Sequence, residues 1–230
     1  MNMNERSFQN AVAVEGSAVE LASAEARKVL RNTYLLLSMT LAFSAVVAGV
    51  AAALNAPFLH PIITLVGYFA LLFGVTKCRN SSMGILLVFA LTGFLGYTLG
   101  PLLSAYLSLP NGGQLVMMAL GGTAVIFFSM SAIALTSKRD FSFLGNFLFA
   151  GILVAFLAGL AAYFFSMPIL ALAVSGAFVL LMTGLILYET QSILRGGETN
   201  YIMATVTLYV SLYNLFTSLL HILGAFSGDD

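Results

Sequence analysis

Glu189 is the single acidic residue inside the long apolar segments of this sequence. Downstream of it, Thr207, Ser211, Asn214, Ser218 and His221 recur at spacings of four, three, four and three. A carboxyl group inside an apolar segment is suited to exchanging a proton or meeting a cation, because ionisable groups there face the protein interior or water rather than lipid. The second set falls on one face of a helix. In a lipid-embedded helix such a face must point at protein or water. It serves either as interhelical hydrogen-bond glue or as a polar pathway leading to Glu189.

Glu189, Ser211 and Asn214 are therefore the candidate proton- or cation-sensing residues, with Thr207, Ser218 and His221 completing the stripe. Arg195, six residues further on, and Lys77 and Arg79 are the candidate charge partners. With such a partner Glu189 is an interfacial carboxylate; without one it is a buried functional group. His221 has no second ligand near it in sequence and reads as a packed or interfacial histidine.

Little other chemistry is available. There is no Walker loop, no HExxH, no cluster of Cys or His and no aspartate within an apolar segment. Intramembrane aspartyl, zinc and serine protease patterns are thereby excluded, and no catalytic residue, cofactor or metal ligand set is expected. Cys78, the only cysteine, stands between Lys77 and Arg79 and excludes an intramolecular disulfide. Zero net charge and nine basic residues do not make a phosphate-tracking surface, so nucleic acid is not an expected partner.

Composition then names the solvent. The 230 residues are 60% hydrophobic and 8% charged, with mean hydropathy +1.00. A soluble domain carries about 25% charged residues, so lipid must cover most of this surface. Residues 1–26 contain Glu5, Glu15, Glu20 and Glu25 and no apolar core, unlike a cleavable signal peptide. They are expected to form a flexible cytoplasmic tail ahead of a transmembrane domain over 27–230.

The charges count the spans. Asn32–Thr76, Asn80–Ser137, Phe141–Tyr188 and Thr199–Gly228 are runs of 45, 58, 48 and 30 residues without Asp, Glu, Lys or Arg. A spanning helix takes about 20 apolar residues, so the first three runs hold two helices each and the last holds one. Turn residues around Asn55-Ala56-Pro57, Pro110-Asn111-Gly112 and Met167-Pro168 divide the pairs. The predicted spans are 33–54, 61–76, 83–107, 116–135, 143–165, 169–193 and 201–226. Their unbroken apolar character excludes the alternation of a barrel strand.

All nine basic residues fall on one side of these spans: Arg6, Arg27, Lys28 and Arg31, then Lys77 and Arg79, Lys138 and Arg139, and Arg195. The positive-inside rule places that side and the N-terminus in the cytoplasm. Asp229 and Asp230 are then expected outside. Gly93, Gly96 and Gly100, with Gly121 and Gly122, are expected at close helix contacts.

Four separated segments carry a resemblance. Leu91-Thr-Gly-Phe-Leu-Gly-Tyr-Thr-Leu-Gly-Pro101, Lys138-Arg-Asp-Phe-Ser-Phe-Leu-Gly145, Leu187-Tyr-Glu-Thr-Gln-Ser-Ile193 and Leu208-Tyr-Val-Ser-Leu-Tyr-Asn-Leu-Phe216 resemble the transmembrane Bax inhibitor motif family over nearly the whole chain from Arg27. Lys28-Val-Leu-Arg-Asn-Thr-Tyr34 and Gly196-Gly-Glu-Thr-Asn-Tyr201 point to its proteobacterial branch of modulators of the FtsH protease.

The resemblance implies an all-α fold in which six helices surround a central seventh. It implies a membrane-embedded, FtsH-type AAA+ zinc protease, with its associated membrane proteins, as partner. It also implies, as the alternative, a pH-sensitive calcium or proton leak gated by two carboxylates. Their positions match Glu189 and Ser211, so this chain keeps one carboxylate of the two. A glutamate and a serine cannot share a proton as coupled carboxylates do.

Overall fold

A computed structural model of the chain describes the backbone of residues 3–227 and the side chains of residues 21–227. Asp229 and Asp230, expected on the outer side, lie outside the described residues. Among those residues every regular element is an α-helix: α1 Met3–Ala53, α2 Pro61–Cys78, α3 Ser82–Leu107, α4 Gly112–Thr136, α5 Leu144–Phe164, α6 Pro168–Leu194 and α7 Tyr201–Ser227. All seven are long and apolar enough to cross a membrane, the first over Leu21–Ala53.

The helix ends follow from local chemistry. Pro61 and Pro168 open α2 and α6, where the missing N–H of proline costs no helical bond. The Nδ1 of His60 accepts from the backbone N–H of Ile62 at 3.3 Å. Gly196, at φ 74°, takes the left-handed conformation that closes α6. The Asn200 side chain accepts from the N–H groups of Ile202 and Met203, at 3.1 and 3.0 Å, and caps α7.

One element departs from expectation. The 51 residues of α1 start at Met3, so the backbone is helical over most of the predicted flexible tail. Between residues 1 and 26 there are six alanines, four glutamates, one glycine and no proline, a composition that suits helix. At about 1.5 Å per residue the helix is about 76 Å long. That is more than twice the ~30 Å hydrocarbon layer, so its N-terminal part must project from the membrane.

Helix α7 packs against α1, α2, α3, α4 and α6, while α5 lies along α6 and touches α2 through Phe156, edge-on to Phe69. Half of the most apolar window of α7 is buried, more than in any other span. Leu208, Tyr209, Leu212 and Leu215 of α7 meet Leu37 of α1, Val88 and Leu91 of α3, and Met182 and Ile186 of α6 in one core.

Helices α1 and α3 approach closely because of glycine. A Cβ at Gly96 would run into the Ser44 carbonyl, and one at Gly100 into Ala51. The Ser104 hydroxyl also donates across this contact to the Ala52 carbonyl at 3.2 Å. A Cβ at Gly121, by contrast, would meet nothing within 4 Å. Of the α4 pair only Gly122 faces a neighbour, Leu219 of α7.

The three basic loops gather at one end of the bundle. Asn200 donates from Nδ2 to the Arg79 carbonyl at 3.0 Å and to Asn80 Oδ1 at 2.8 Å. On the other side, Gln191 and Arg195 hold the loop between α4 and α5. The segment joining α6 to α7 thus bonds to both other basic loops.

Candidate functional site

Glu189 lies five residues before the end of α6. It is 7% exposed, and its Oε1 has no hydrogen-bond partner. The arginine six residues on does not reach it. Arg195 caps the C-terminus of α6 and turns outward, with one guanidinium nitrogen 3.1 Å from Asp140 Oδ2 and the other donating to the Arg139 carbonyl at 2.9 Å.

Neither of the other two expected charge partners forms an ion pair with Glu189. The Lys77 ammonium sits 5.0 Å over the Phe73 ring, a cation–π contact. Arg79 offers its carbonyl to Asn200. Arg195–Asp140 is the one ion pair among the described residues. No cation among the described residues therefore pairs with Glu189. Arg79, Lys138, Arg139 and Arg195 lie beyond the helix ends and Lys77 in the last turn of α2, whereas Glu189 is buried five residues inside α6.

The residues flanking Glu189 build its rim. Thr190, fully buried, lies 3.5 Å from the Tyr34 hydroxyl of α1, which donates to Ser131 of α4 at 3.0 Å. Gln191 is buried and bonds twice to the α4–α5 loop. Its Oε1 accepts from the Phe141 N–H and its Nε2 donates to the Arg139 carbonyl, both at 2.7 Å. Within that loop, Asp140 accepts from the hydroxyl and the N–H of Ser142. Those hydrogen bonds, and then the Arg195 charge, hold its carboxyl below the usual range.

The helix-seven stripe turns mostly onto its own helix. Ser211 donates to the Thr207 carbonyl at 2.7 Å and Asn214 to the Val210 carbonyl at 2.8 Å. Ser218 is buried and Thr207 half-buried. Only His221 reaches another helix, through Nδ1 to the Ser175 hydroxyl of α6 at 2.7 Å.

Ser211 does not bond Glu189, since its hydroxyl is spent on Thr207 and Glu189 Oε1 is free. Counted from the basic ends of their helices, Glu189 lies five residues in and Ser211 ten. At 1.5 Å per residue Ser211 lies about 7.5 Å further along its own helix than Glu189 does along its helix.

A second polar series on α7 carries the interhelical bonds instead. Thr205 donates to the Thr33 carbonyl of α1 at 3.3 Å. Tyr209 bonds to Ser44 of α1 and to the Thr92 carbonyl of α3 at 3.2 Å. Tyr213 bonds to Thr98 of α3 at 2.8 Å. The spacing of four was visible in the sequence, but tyrosine among leucines reads as core, and only the neighbouring helices reveal the partners.

Chemically, the site presents one buried carboxyl with a partnerless oxygen. It can exchange a proton or meet a cation. A divalent ion such as calcium takes six to eight oxygens, usually with more than one charge. Among the described residues no three His, Cys, Asp or Glu side chains group as a metal site.

Comparison with known proteins gives this arrangement its relatives. Residues 26–228 match the family model described as inhibitor of apoptosis-promoting Bax1. An Escherichia coli K12 protein named modulator of FtsH protease YccA is 54% identical over 202 residues, covering 88% of this chain and 92% of that one. An uncharacterized Pseudomonas aeruginosa protein is 51% identical over 206 residues, covering 90% and 93%. A Vibrio cholerae membrane protein is 45% identical over 210 residues, again covering 90% and 93%.

Proposed function

The chain belongs to the family described as inhibitor of apoptosis-promoting Bax1, and on that premise we propose that it binds and restrains an FtsH-type protease in the bacterial inner membrane, slowing the turnover of membrane proteins. The observation that carries this reading is its 54% identity, nearly end to end, with a relative named as a modulator of that protease. The nine basic residues on one side support, under the positive-inside rule, a cytoplasmic N-terminus and cytoplasmic basic loops.

The projecting part of α1 supplies a physical route. The part of α1 ahead of Leu21 extends beyond the apolar span as a helix that a protease pore can engage. The seven apolar spans resist extraction from lipid, so the chain occupies the protease as a poorly processed competitor. Co-purification with the protease tests the partnership. Deleting residues 1–26 tests the route: inhibition is lost while insertion persists. Undiminished inhibition by the truncated chain overturns the competitor mechanism.

A second reading, a pH-sensitive calcium or cation leak, is favoured by one observation: Glu189 is buried with an unpartnered oxygen. Liposomes loaded with a calcium dye test it between about pH 5 and 8. A leak abolished by Glu189→Gln supports the channel. No leak at any pH removes it.

A further inference from the structure

At the basic end of the bundle, where α5 begins and α6 ends, a pocket of about 230 Å³ is lined by Ser142, Tyr188, Gln191, Ser192, Arg195 and Gly197. Sites for drug-sized molecules run from about 300 Å³ upward, so this one suits a fragment the size of a headgroup. Gln191 is committed to the loop backbone. The Tyr188 and Ser192 hydroxyls line the pocket without a hydrogen bond to any described residue. Tyr188 lies across the first turn of α5, because a Cβ at Gly145 would come within 2.9 Å of its hydroxyl.

The charges around the pocket are asymmetric. Arg195 lines it, and Lys138 and Arg139 on the adjoining loop are exposed and form no ion pair among the described residues. The nearby acids are both occupied: Asp140 by Arg195 and Ser142, Glu198 by the Asn200 N–H. Glu189, also on α6, points inward and is buried.

The surroundings are those of lipid. α5 lies along α6 and touches α2 only through Phe156 and Phe69 among the described residues, and Phe143 and Phe147 at its basic end are 73% and 67% exposed. An acyl chain running along these two rings places its headgroup at the pocket mouth. Basic pockets between helices on the cytoplasmic side are where anionic headgroups are held.

We propose that this pocket binds the phosphodiester headgroup of an anionic membrane lipid, with the Tyr188 and Ser192 hydroxyls as donors and Lys138 and Arg139 as the attracting charges. The proposal is independent of the protease reading. Native mass spectrometry of the full chain in detergent tests it, using phosphatidylglycerol and phosphatidylcholine of identical acyl chains.

The wild type retains phosphatidylglycerol roughly fivefold or more over phosphatidylcholine, the preference a single added basic contact supplies. The double variant Tyr188→Phe, Ser192→Ala removes only hydroxyls that meet the phosphodiester common to both lipids and lowers the retention of phosphatidylglycerol severalfold. Lys138→Gln with Arg139→Gln, at exposed side chains, removes the charge that tells the two lipids apart and brings them level. Equal retention of both lipids by the wild type, undiminished retention of phosphatidylglycerol by the folded hydroxyl variant, or an undiminished preference in the folded charge variant, overturns the proposal. So does displacement of phosphatidylglycerol by millimolar inorganic phosphate, which assigns the pocket to free phosphate.

Discussion

Arg195 reaches Asp140 at 3.1 Å and so leaves Glu189, six residues earlier on the same helix, buried without a counter-charge. Both partners of the pair are exposed at the bundle end, at 41% and 59%. The charge that could have neutralised the buried carboxyl instead fastens a loop.

Glu189→Gln is therefore expected to leave the thermal midpoint in detergent at or above that of the wild type. Removing one member of a buried ion pair costs about 3–5 kcal/mol, but here no pair exists to break. A midpoint drop of that size would show that Glu189 has a partner in the folded protein.

Gln191 should behave in the opposite way. Its amide satisfies one loop N–H and one loop carbonyl from a buried position. Gln191→Ala leaves both without that partner and is expected to destabilise by about 1–3 kcal/mol. Hydrogen exchange at Phe141 reports it directly, rising in the variant while exchange in α7 stays unchanged. Unaltered protection at Phe141 would refute the clasp.

Asp140 gives the pH dependence of the same loop. Its carboxyl is held low by the Ser142 hydrogen bonds and then by Arg195. A lowered folded value means that the stabilising contribution is fully present above the unfolded value of about 3.9 and is lost as pH falls below it. Loop exchange attributable to Asp140 is thus expected to stay flat between about pH 5 and 8, and Asp140→Asn abolishes only the acid-side change. An Asp140-dependent change near neutrality would contradict this.

Two glycine substitutions separate packing from propensity. Gly96→Ala drives a methyl group into the Ser44 backbone and is expected to cost about 1–3 kcal/mol. Gly121→Ala meets open space and is expected to be neutral, or stabilising by up to about 1 kcal/mol through helix propensity. Thermal midpoints measured side by side decide the matter, and equal effects would refute the α1–α3 contact.

Tyr209 and Ser44 test the second polar series. Tyr209→Phe and Ser44→Ala are each expected to cost about 0.6–1.7 kcal/mol, the range for interhelical hydrogen bonds in lipid. The double variant should cost less than their sum. Strict additivity would mean that the two hydroxyls do not interact.

Much of the architecture was legible from local properties. The predicted spans 61–76, 83–107 and 201–226 correspond to Pro61–Cys78, Ser82–Leu107 and Tyr201–Ser227. Charges, prolines and turn residues act at their own positions, and the cost of placing a charge in lipid is paid wherever it stands. The N-terminal segment was harder to read. A helix formed by propensity alone, without an apolar stripe, leaves no periodic signal, and residues 3–26 were expected to be coil for that reason.

The sequence by itself determined that this is a seven-span membrane protein with its basic loops on one side and one carboxyl inside a span, since the bilayer imposes length and charge rules on each segment separately. It also identified the polar residues of helix seven, because a 3.6-residue period sorts faces. The tertiary structure alone decided which neighbours those faces meet. It turned Ser211 and Asn214 back onto their own helix, carried the interhelical bonds through Thr205, Tyr209 and Tyr213, and sent Arg195 to Asp140. A hydrogen bond between helices depends on depth and rotation of both, and neither is written in the spacing of one.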